Sequence, residues 1–218
     1  MQIRFRIRPI ILILFVLTVA FGLTACSSPK ETATTTANTS NVPAGDNSGK
    51  SPSGTMASSP AAANAPYDLQ FIDTMSVHHG SAIEMAKLAQ AKAQHPELKA
   101  FAKKIIDDQQ KEIAQMKGWR GEWYAGKPEA VNLELPGMMH TTEGMDLGRL
   151  SAATGAAFDI TFLEMMTQHH QGAVAMAKEA MTKSGHPEIK RLARQIAGAQ
   201  QQEIAQMGRW KAAWAGAK

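Results

Sequence analysis

From residue 66 onward, apolar residues recur along the chain at the spacing of one face of an α-helix. Before His95 the intervals are three, four and seven residues, at Phe71, Met75, Ala82, Ala86 and Ala89. A second apolar stripe follows the segment His95-Pro96-Glu97. There, proline suits the first turn of a helix and glutamate suits the positive end of the helix dipole. Alternating runs typical of strands are absent from the sequence. The pattern therefore predicts a hairpin of two antiparallel helices.

The same pattern occurs a second time. Residues 67–123 align with residues 158–214 at a constant offset of 91, and about 26 of the 57 aligned positions are identical. The matches include two histidine pairs, His78-His79 and His169-His170, and the His-Pro-Glu turn of each half. A self-match of this length indicates one structural unit used twice. Two hairpins supply four amphipathic helices, which bury their stripes best in an all-α four-helix bundle. We expect His95 and His186 to mark helix boundaries and the four tryptophans to cap the core.

The N-terminus predicts a lipoprotein signal peptide, residues 1–26. Three arginines precede a short apolar run, and small residues lead to Cys26, the single cysteine and the expected site of lipidation. The run is shorter than a typical membrane span. The alternatives are an ordinary signal peptide with a chance cysteine and a short membrane anchor.

The rest of the chain divides into four segments. We predict a disordered tether at 27–65, which has almost no large apolar side chains, a first hairpin at 66–124, a connecting segment at 125–157 and a second hairpin at 158–218. A short helix is expected near residues 142–153. The formal charge of +4 falls to about +1 without the three signal-peptide arginines, which leaves no indication of nucleic-acid binding.

Polar residues interrupt the apolar stripes at one level of each hairpin. On a helical wheel, His78 and His79 flank the stripe on opposite sides because neighbouring residues differ by about 100°. Folding the first hairpin about His95 places position 112 opposite position 78. Glutamate is seldom buried without a partner. We therefore expect a polar layer in which the side chains that hydrogen-bond the histidines are Gln109, Glu112, Gln200 and Glu203.

The donor types around this layer favour a soft metal. Each histidine pair has a methionine three residues before its first member and another seven residues after it. Thioether and imidazole together favour copper, particularly Cu(I), and by extension Ag(I). The candidate ligands are Met75, His78, His79, Met85, Met166, His169, His170 and Met176, and the additional candidates are Met116, Met207, Met138, Met139, His140 and Met145. The alternative is a structural layer in which His–Glu hydrogen bonds fix helix register and methionine fills the core. For the segment around Met138, the alternative is a hydrophobic plug over the bundle end.

These motifs resemble a known bacterial family. The pattern from Asp68 through Met75 and His78-His79 to Met85, with its second copy from Asp159 to Met176, is similar to the domain-of-unknown-function family number 305, as is the approach Pro136-Gly137-Met138-Met139. The resemblance covers about residues 66–215 and implies a ferritin-like bundle. Some members are exported copper-binding proteins linked to copper resistance, which implies the eight candidate ligands given above together with the segment from Met138 to Met145. Where the second repeat has Gln171-Gly172 the first has Gly80-Ser81, and this departure implies a weaker first site.

The functional expectation is an exported, lipid-anchored protein that binds copper or silver for sequestration, transfer or resistance, without enzymatic turnover. Its expected partners are the metal ion and, through Cys26, a membrane, with no nucleic acid. The expected location is the periplasm or cell surface, with the outer membrane favoured where the cell has one, because an Asp after the cysteine is absent. A structural or interaction lipoprotein and a metal-dependent redox enzyme are the alternatives.

Overall fold

Every regular secondary-structure element in the described part of the protein is a helix, which confirms the predicted all-α bundle. A computed structural model describes residues 57–138 and 146–215. After a short 3-10 helix at Ala62–Asn64 come α1 (Tyr67–Lys92), α2 (Pro96–Trp123), α3 (Leu147–Ala152), α4 (Gly155–Lys183) and α5 (Pro187–Ala215). The helix expected near residues 142–153 begins at Leu147, and the preceding positions 139–145 lie outside the described residues. Within the described ranges, no helix combines the length and apolar character needed to cross a membrane.

The helices form two antiparallel hairpins joined by one long crossover. α1 packs against α2, α4 packs against α5, and the hairpins meet where α1 crosses α4. The start of α4, at Asp159, lies beside the end of α1, so these two helices run in opposite directions. The resulting order is up, down, down, up, with the crossover returning the chain along the bundle. A single crossover of this kind is typical of ferritin-like bundles.

Apolar side chains of both repeats mix in each half of the core. One cluster joins Phe71 and Met75 of α1 to Met176 and Ala180 of α4. The other joins Met85 and Ala89 of α1 to Phe158, Phe162 and Met166 of α4. The residues that meet in a cluster are not matched positions of the two repeats. Because α1 and α4 are antiparallel, the first half of α1 packs against the last half of α4, and the reverse. Neither hairpin therefore has a core of its own.

The turn of each hairpin is held by an aspartate from the other hairpin. Asp159 is fully buried and accepts hydrogen bonds from the backbone N–H groups of Gln94 and His95, at 2.9 and 3.0 Å. Its Oδ2 also lies 2.6 Å from Nδ1 of His95. Asp68 accepts in the same way from the N–H groups of Gly185 and His186.

The turn histidines also stack on tryptophans of the opposite repeat. The His95 ring lies 3.8 Å from the Trp214 ring, and the His186 ring lies 3.9 Å from the Trp123 ring. The first of these histidines is the N-cap of α2, as expected for a boundary residue. The tryptophans do pack on the core, but two of them also fasten one repeat to the turn of the other.

The connecting segment is fastened to α1 by two buried polar residues. Asp73 accepts from the N–H of Ala130 at 2.9 Å and pairs with Nε of Arg120 at 2.7 Å. The hydroxyl of Thr74 accepts from the N–H of Asn132 at 2.9 Å. These bonds fix the path of the chain between the hairpins and lead it to Met138, which is buried in the first core cluster.

Loss of the cross-repeat cap should destabilise the whole bundle. We expect Asp159→Ala to lower the free energy of unfolding by about 2–4 kcal/mol, because two backbone N–H groups lose a charged acceptor at a buried turn. Urea unfolding followed by circular dichroism measures the change. The control is Asp107→Ala, which removes an exposed i,i+4 pair with Lys103 and should cost no more than about 0.5 kcal/mol. Equal stability of the two variants would contradict the capping role.

Candidate metal centre

Two of the four histidines in the repeated His-His pairs meet where α1 crosses α4. The rings of His78 and His169 lie 3.8 Å apart, centroid to centroid, and both residues are almost completely buried. Nε2 of His169 lies 3.0 Å from the carbonyl oxygen of His78, to which it donates. Adjacent residues on a helix point about 100° apart. Their neighbours, His79 and His170, therefore turn away from the crossing, each towards the second helix of its own hairpin.

These outer histidines are each held by a glutamate. Nε2 of His79 lies 2.7 Å from Oε2 of Glu112, and Nε2 of His170 lies 2.8 Å from Oε2 of Glu203. The hairpin geometry predicted the glutamates at the level of the histidine pair, and the structure places them there. The partner differs by one residue from the position predicted to lie opposite, since His78 faces α4 and leaves His79 to meet α2.

The layer contains a concentration of buried polar atoms without hydrogen-bond partners. Among the described residues these atoms include both ring nitrogens of His78, and Nδ1 of His79, His169 and His170. Buried polar atoms are nearly always hydrogen-bonded in folded proteins. Five unpartnered imidazole nitrogens in one layer are an exception to this rule. In neutral rings each histidine carries one lone pair, so the layer offers up to four nitrogen donors of the kind that metal ions bind. The residues present therefore fit a metal.

Two buried glutamines extend this set of unpartnered atoms. Gln109 has neither its amide oxygen nor its amide nitrogen paired, and Oε1 of Gln200 also lacks a partner, in each case counting the described part of the chain. Both side chains are buried in the polar layer, as predicted, but in the described part of the chain neither makes the hydrogen bond to a histidine that was expected of it. Their positions one turn from Glu112 and Glu203 put amide groups beside the histidine–glutamate pairs.

The electrostatics of the layer keep the inner histidines neutral. Burial lowers the pKa of His78 well below its ordinary value, and repulsion from a charged His79 or His170 lowers it further. Burial likewise lowers the pKa of His169, with further lowering from His78. A neutral imidazole is the form that binds metals. For Glu203, burial raises the pKa, but the hydrogen bonds and charges of His170 and Lys104 outweigh it, so the pKa is lowered and the carboxylate stays ionised.

The methionines form two groups, one on each side of the histidine layer along α1. Met75, Met116, Met138 and Met176 belong to the first core cluster, and Met85, Met166 and Met207 belong to the second. Each group therefore draws on both repeats. All seven side chains are almost completely buried.

At one matched position the two repeats differ, and each of the two residues contacts a histidine of the opposite repeat. The hydroxyl of Ser81 lies 2.9 Å from Nε2 of His169, which belongs to the other repeat. At the matching position, Gly172 lies against His78, and a Cβ there would be 3.3 Å from Nε2 of His78 and 2.5 Å from the carbonyl oxygen of Gly137. Glycine thus allows the connecting segment to reach the helix and Met138 to enter the core. Each departure bears on the histidine of the opposite repeat.

Some predicted residues fall outside the described ranges. Met139, His140 and Met145 do, and so does Cys26 with the signal peptide and most of the tether. Within residues 57–138 and 146–215, no group of three or more His, Cys, Asp or Glu side chains is arranged to hold a metal ion. Thioether sulfurs are a separate class of donor. The assignment of the Met and His ligands stays a prediction.

Three residues that shape the site were not predicted from the sequence. Asp73 and Thr74 position the connecting segment, and Lys104 pairs with Glu203 at 2.7 Å. In the sequence, these residues stand out only because they differ from the residues aligned with them in the second repeat, which are Glu164, Met165 and Gln195. Differences between otherwise matched halves mark where the two sites diverge.

Comparison with known proteins places the chain in a family. It matches the family described as "Domain of unknown function (DUF305)" over residues 68–211. The chain belongs to the DUF305 family, as the sequence motifs predicted. No curated protein matches it.

Solved structures agree with this assignment. CopM in its Cu(I)-bound form is 40% identical, with a TM-score of 0.59, over 68% of this chain and 98% of that one. CopM in its Cu(II)-bound form is 39% identical, with a TM-score of 0.60, over 69% of this chain and 99% of that one. A candidate secreted DUF305 protein from Streptomyces coelicolor is 30% identical, with a TM-score of 0.60, over 69% of this chain and 94% of that one.

The neutral inner histidines should make the metal-free protein acid-sensitive. Their pKa is lower in the folded state than the ordinary value of about 6.5, so below that pH the unfolded chain binds protons that the folded one does not. We expect the free energy of unfolding to fall as pH falls from about 6.5, by at most about 1.4 kcal/mol per pH unit for each histidine.

Urea unfolding in the presence of a chelator at pH 7.5 and 5.5 measures this dependence. The variant His78→Gln/His169→Gln should show a smaller loss of stability between the two pH values. An unchanged pH dependence in that variant would show that the inner histidines are not the groups responsible.

Proposed function

We propose that this protein is an exported, lipid-anchored copper-binding protein that holds Cu(I), or Ag(I), through methionine and histidine side chains. Its role is sequestration or transfer of the metal, as in metal resistance, without enzymatic turnover. Lipid attachment at Cys26 ties the protein to a membrane outside the cytoplasm. The proposed ligands are the four histidines of the layer with Met75, Met85, Met166 and Met176.

The observation that carries this proposal is the set of unpartnered imidazole nitrogens. His78 and His169 are buried at the crossing, and burial keeps both rings neutral. A purely structural layer of polar residues is stabilising when its members satisfy one another. Here Glu112 and Glu203 each satisfy Nε2 of one outer histidine, which leaves Nδ1 for another partner. A carboxylate on one nitrogen of an imidazole whose other nitrogen binds a metal is a common arrangement.

The neighbouring side chains support a soft metal. The methionine groups lie on either side of the histidine layer, and the single cysteine of the chain is the proposed lipid attachment point, which leaves no thiolate. Thioether sulfur suits Cu(I), whereas Mg²⁺ and Ca²⁺ prefer oxygen. The relatives solved with copper and silver are consistent with this preference.

Removing the histidine layer should abolish copper binding. We expect the protein to bind at least one Cu(I) in competition with a chromophoric chelator, and to bind Zn(II) far more weakly. The fourfold substitution of His78, His79, His169 and His170 by Gln should remove Cu(I) binding while circular dichroism shows the helices retained. Substitution of His95 and His186, which lie at the turns, is the matched control and should leave the stoichiometry unchanged. If the wild-type protein fails to take Cu(I) from the chelator, the histidine layer has only a structural role.

The two methionine groups should each contribute to affinity. Met75→Leu/Met176→Leu and Met85→Leu/Met166→Leu should each weaken Cu(I) binding by about tenfold or more, since leucine keeps the volume and removes the sulfur donor. The same chelator competition measures both. Met181→Leu, a methionine outside the repeated motif, is the control. Unaltered affinity in both double variants would exclude thioether ligation.

A further inference from the structure

A groove separates the two helices that do not pack closely on each other. It lies between α2 and α5 and has a volume of about 420 Å³. Its α2 wall includes Asp108, Gln109, Lys111 and Glu112, and its α5 wall includes Gln195, Gln200 and Glu203. All four of the glutamines and glutamates that the sequence predicted around the histidines line the groove.

The same side chains connect the groove to the buried centre. Glu112 and Glu203 line the groove and also bind the fully buried rings of His79 and His170. Gln109, one turn away, is buried and keeps its amide unpaired among the described residues. From solvent inward, a cation would meet the carboxylate oxygens first and the imidazole rings directly behind them.

The two ends of this groove differ in charge. Nζ of Lys104 lies 2.7 Å from Oε1 of Glu203, and His170 binds the other oxygen, Oε2. Both oxygens of this carboxylate are therefore paired. The repeat places Gln195 where a second such lysine would stand beside Glu112. In the described part of the chain, Oε1 of Glu112 has no hydrogen-bond partner. The Glu112 side chain is also the more exposed of the two, at 19% against 11% for Glu203.

We propose that the metal ion reaches the buried centre through this groove, and that Glu112 is the carboxylate that receives it. This inference rests on the proposed function. A carboxylate with one unpaired oxygen at the end of a partly enclosed groove raises the local concentration of cations. The ammonium group of Lys111 also lines the groove but pairs with Asp108, and that of Lys104 opposes the effect at the other end. The opposite side of the centre is closed by the backbone contact between Gly137 and Gly172.

Loading kinetics test the route with two opposite changes of charge. Gln195→Lys places a lysine at both ends of the groove. Lys104→Gln does the reverse and leaves a glutamine at both ends. Cu(I), supplied as its acetonitrile complex, is mixed with the full chain in a quenched-flow apparatus. A chromophoric chelator then captures the metal that is still unbound after each delay.

The proposal requires opposite effects on the loading rate. We expect Gln195→Lys to slow loading by about tenfold and Lys104→Gln to accelerate it, with both differences shrinking at high ionic strength. Gln201→Lys adds the same charge on an exposed position of α5 outside the groove and should load like the wild type.

Two results would overturn the route. One is equal loading by Gln195→Lys, Lys104→Gln and the wild type. The other is faster loading by Gly137→Ala alone, whose added Cβ would meet the backbone of Gly172 at 2.3 Å and displace the connecting segment. The equilibrium affinity of the wild type for Cu(I), measured first, separates the two proposals. If the wild type does not bind Cu(I), the proposed function itself fails. If it binds Cu(I) but gives either of the two kinetic results above, only the proposed route fails.

Discussion

The crossing of α1 and α4 at His78 and His169 is the constraint on which the rest of the structure depends. The two imidazole rings lie 3.8 Å apart, and burial, with repulsion from other histidines of the layer, lowers the pKa of both and keeps them neutral. With the rings fixed at the crossing, the adjacent histidines point outward by helical geometry, and the glutamates on α2 and α5 meet them. The register of all four helices follows from one layer of side chains.

This layer lowers the stability of the folded protein if it serves only for packing. Unpartnered polar atoms in a core reduce stability, and a well-packed apolar layer of the same volume would be more stable. The bundle compensates elsewhere, through apolar clusters on both sides of the layer and through buried aspartates that cap both turns. A stable frame around a poorly satisfied centre is the arrangement expected where the centre is kept for binding.

The internal repeat made most of this structure predictable. Hydrophobic spacing located the four long helices, and matching the halves singled out the histidines, the methionines and the buried glutamates. The pairing across the repeats was not predictable from one sequence, because periodicity shows which face of a helix is buried but not which helix covers it. Asp68 and Asp159 were recognised as matched residues, yet nothing local shows that each caps the other repeat's turn. Likewise, the effect of Ser81 on His169 depends on an antiparallel crossing between residues 88 positions apart.

The exchange of caps between the halves has a consequence for the origin of the fold. Asp159 closes the first turn and Asp68 closes the second, so each hairpin supplies what the other lacks. Two identical copies of one hairpin, related by a two-fold axis through the histidine crossing, would make the same reciprocal contacts as an isologous dimer. The present chain has the geometry of such a dimer fused head to tail. A single chain allows its halves to differ, and the lysine beside one glutamate and the glycine beneath one loop are asymmetries that a symmetric dimer could not have.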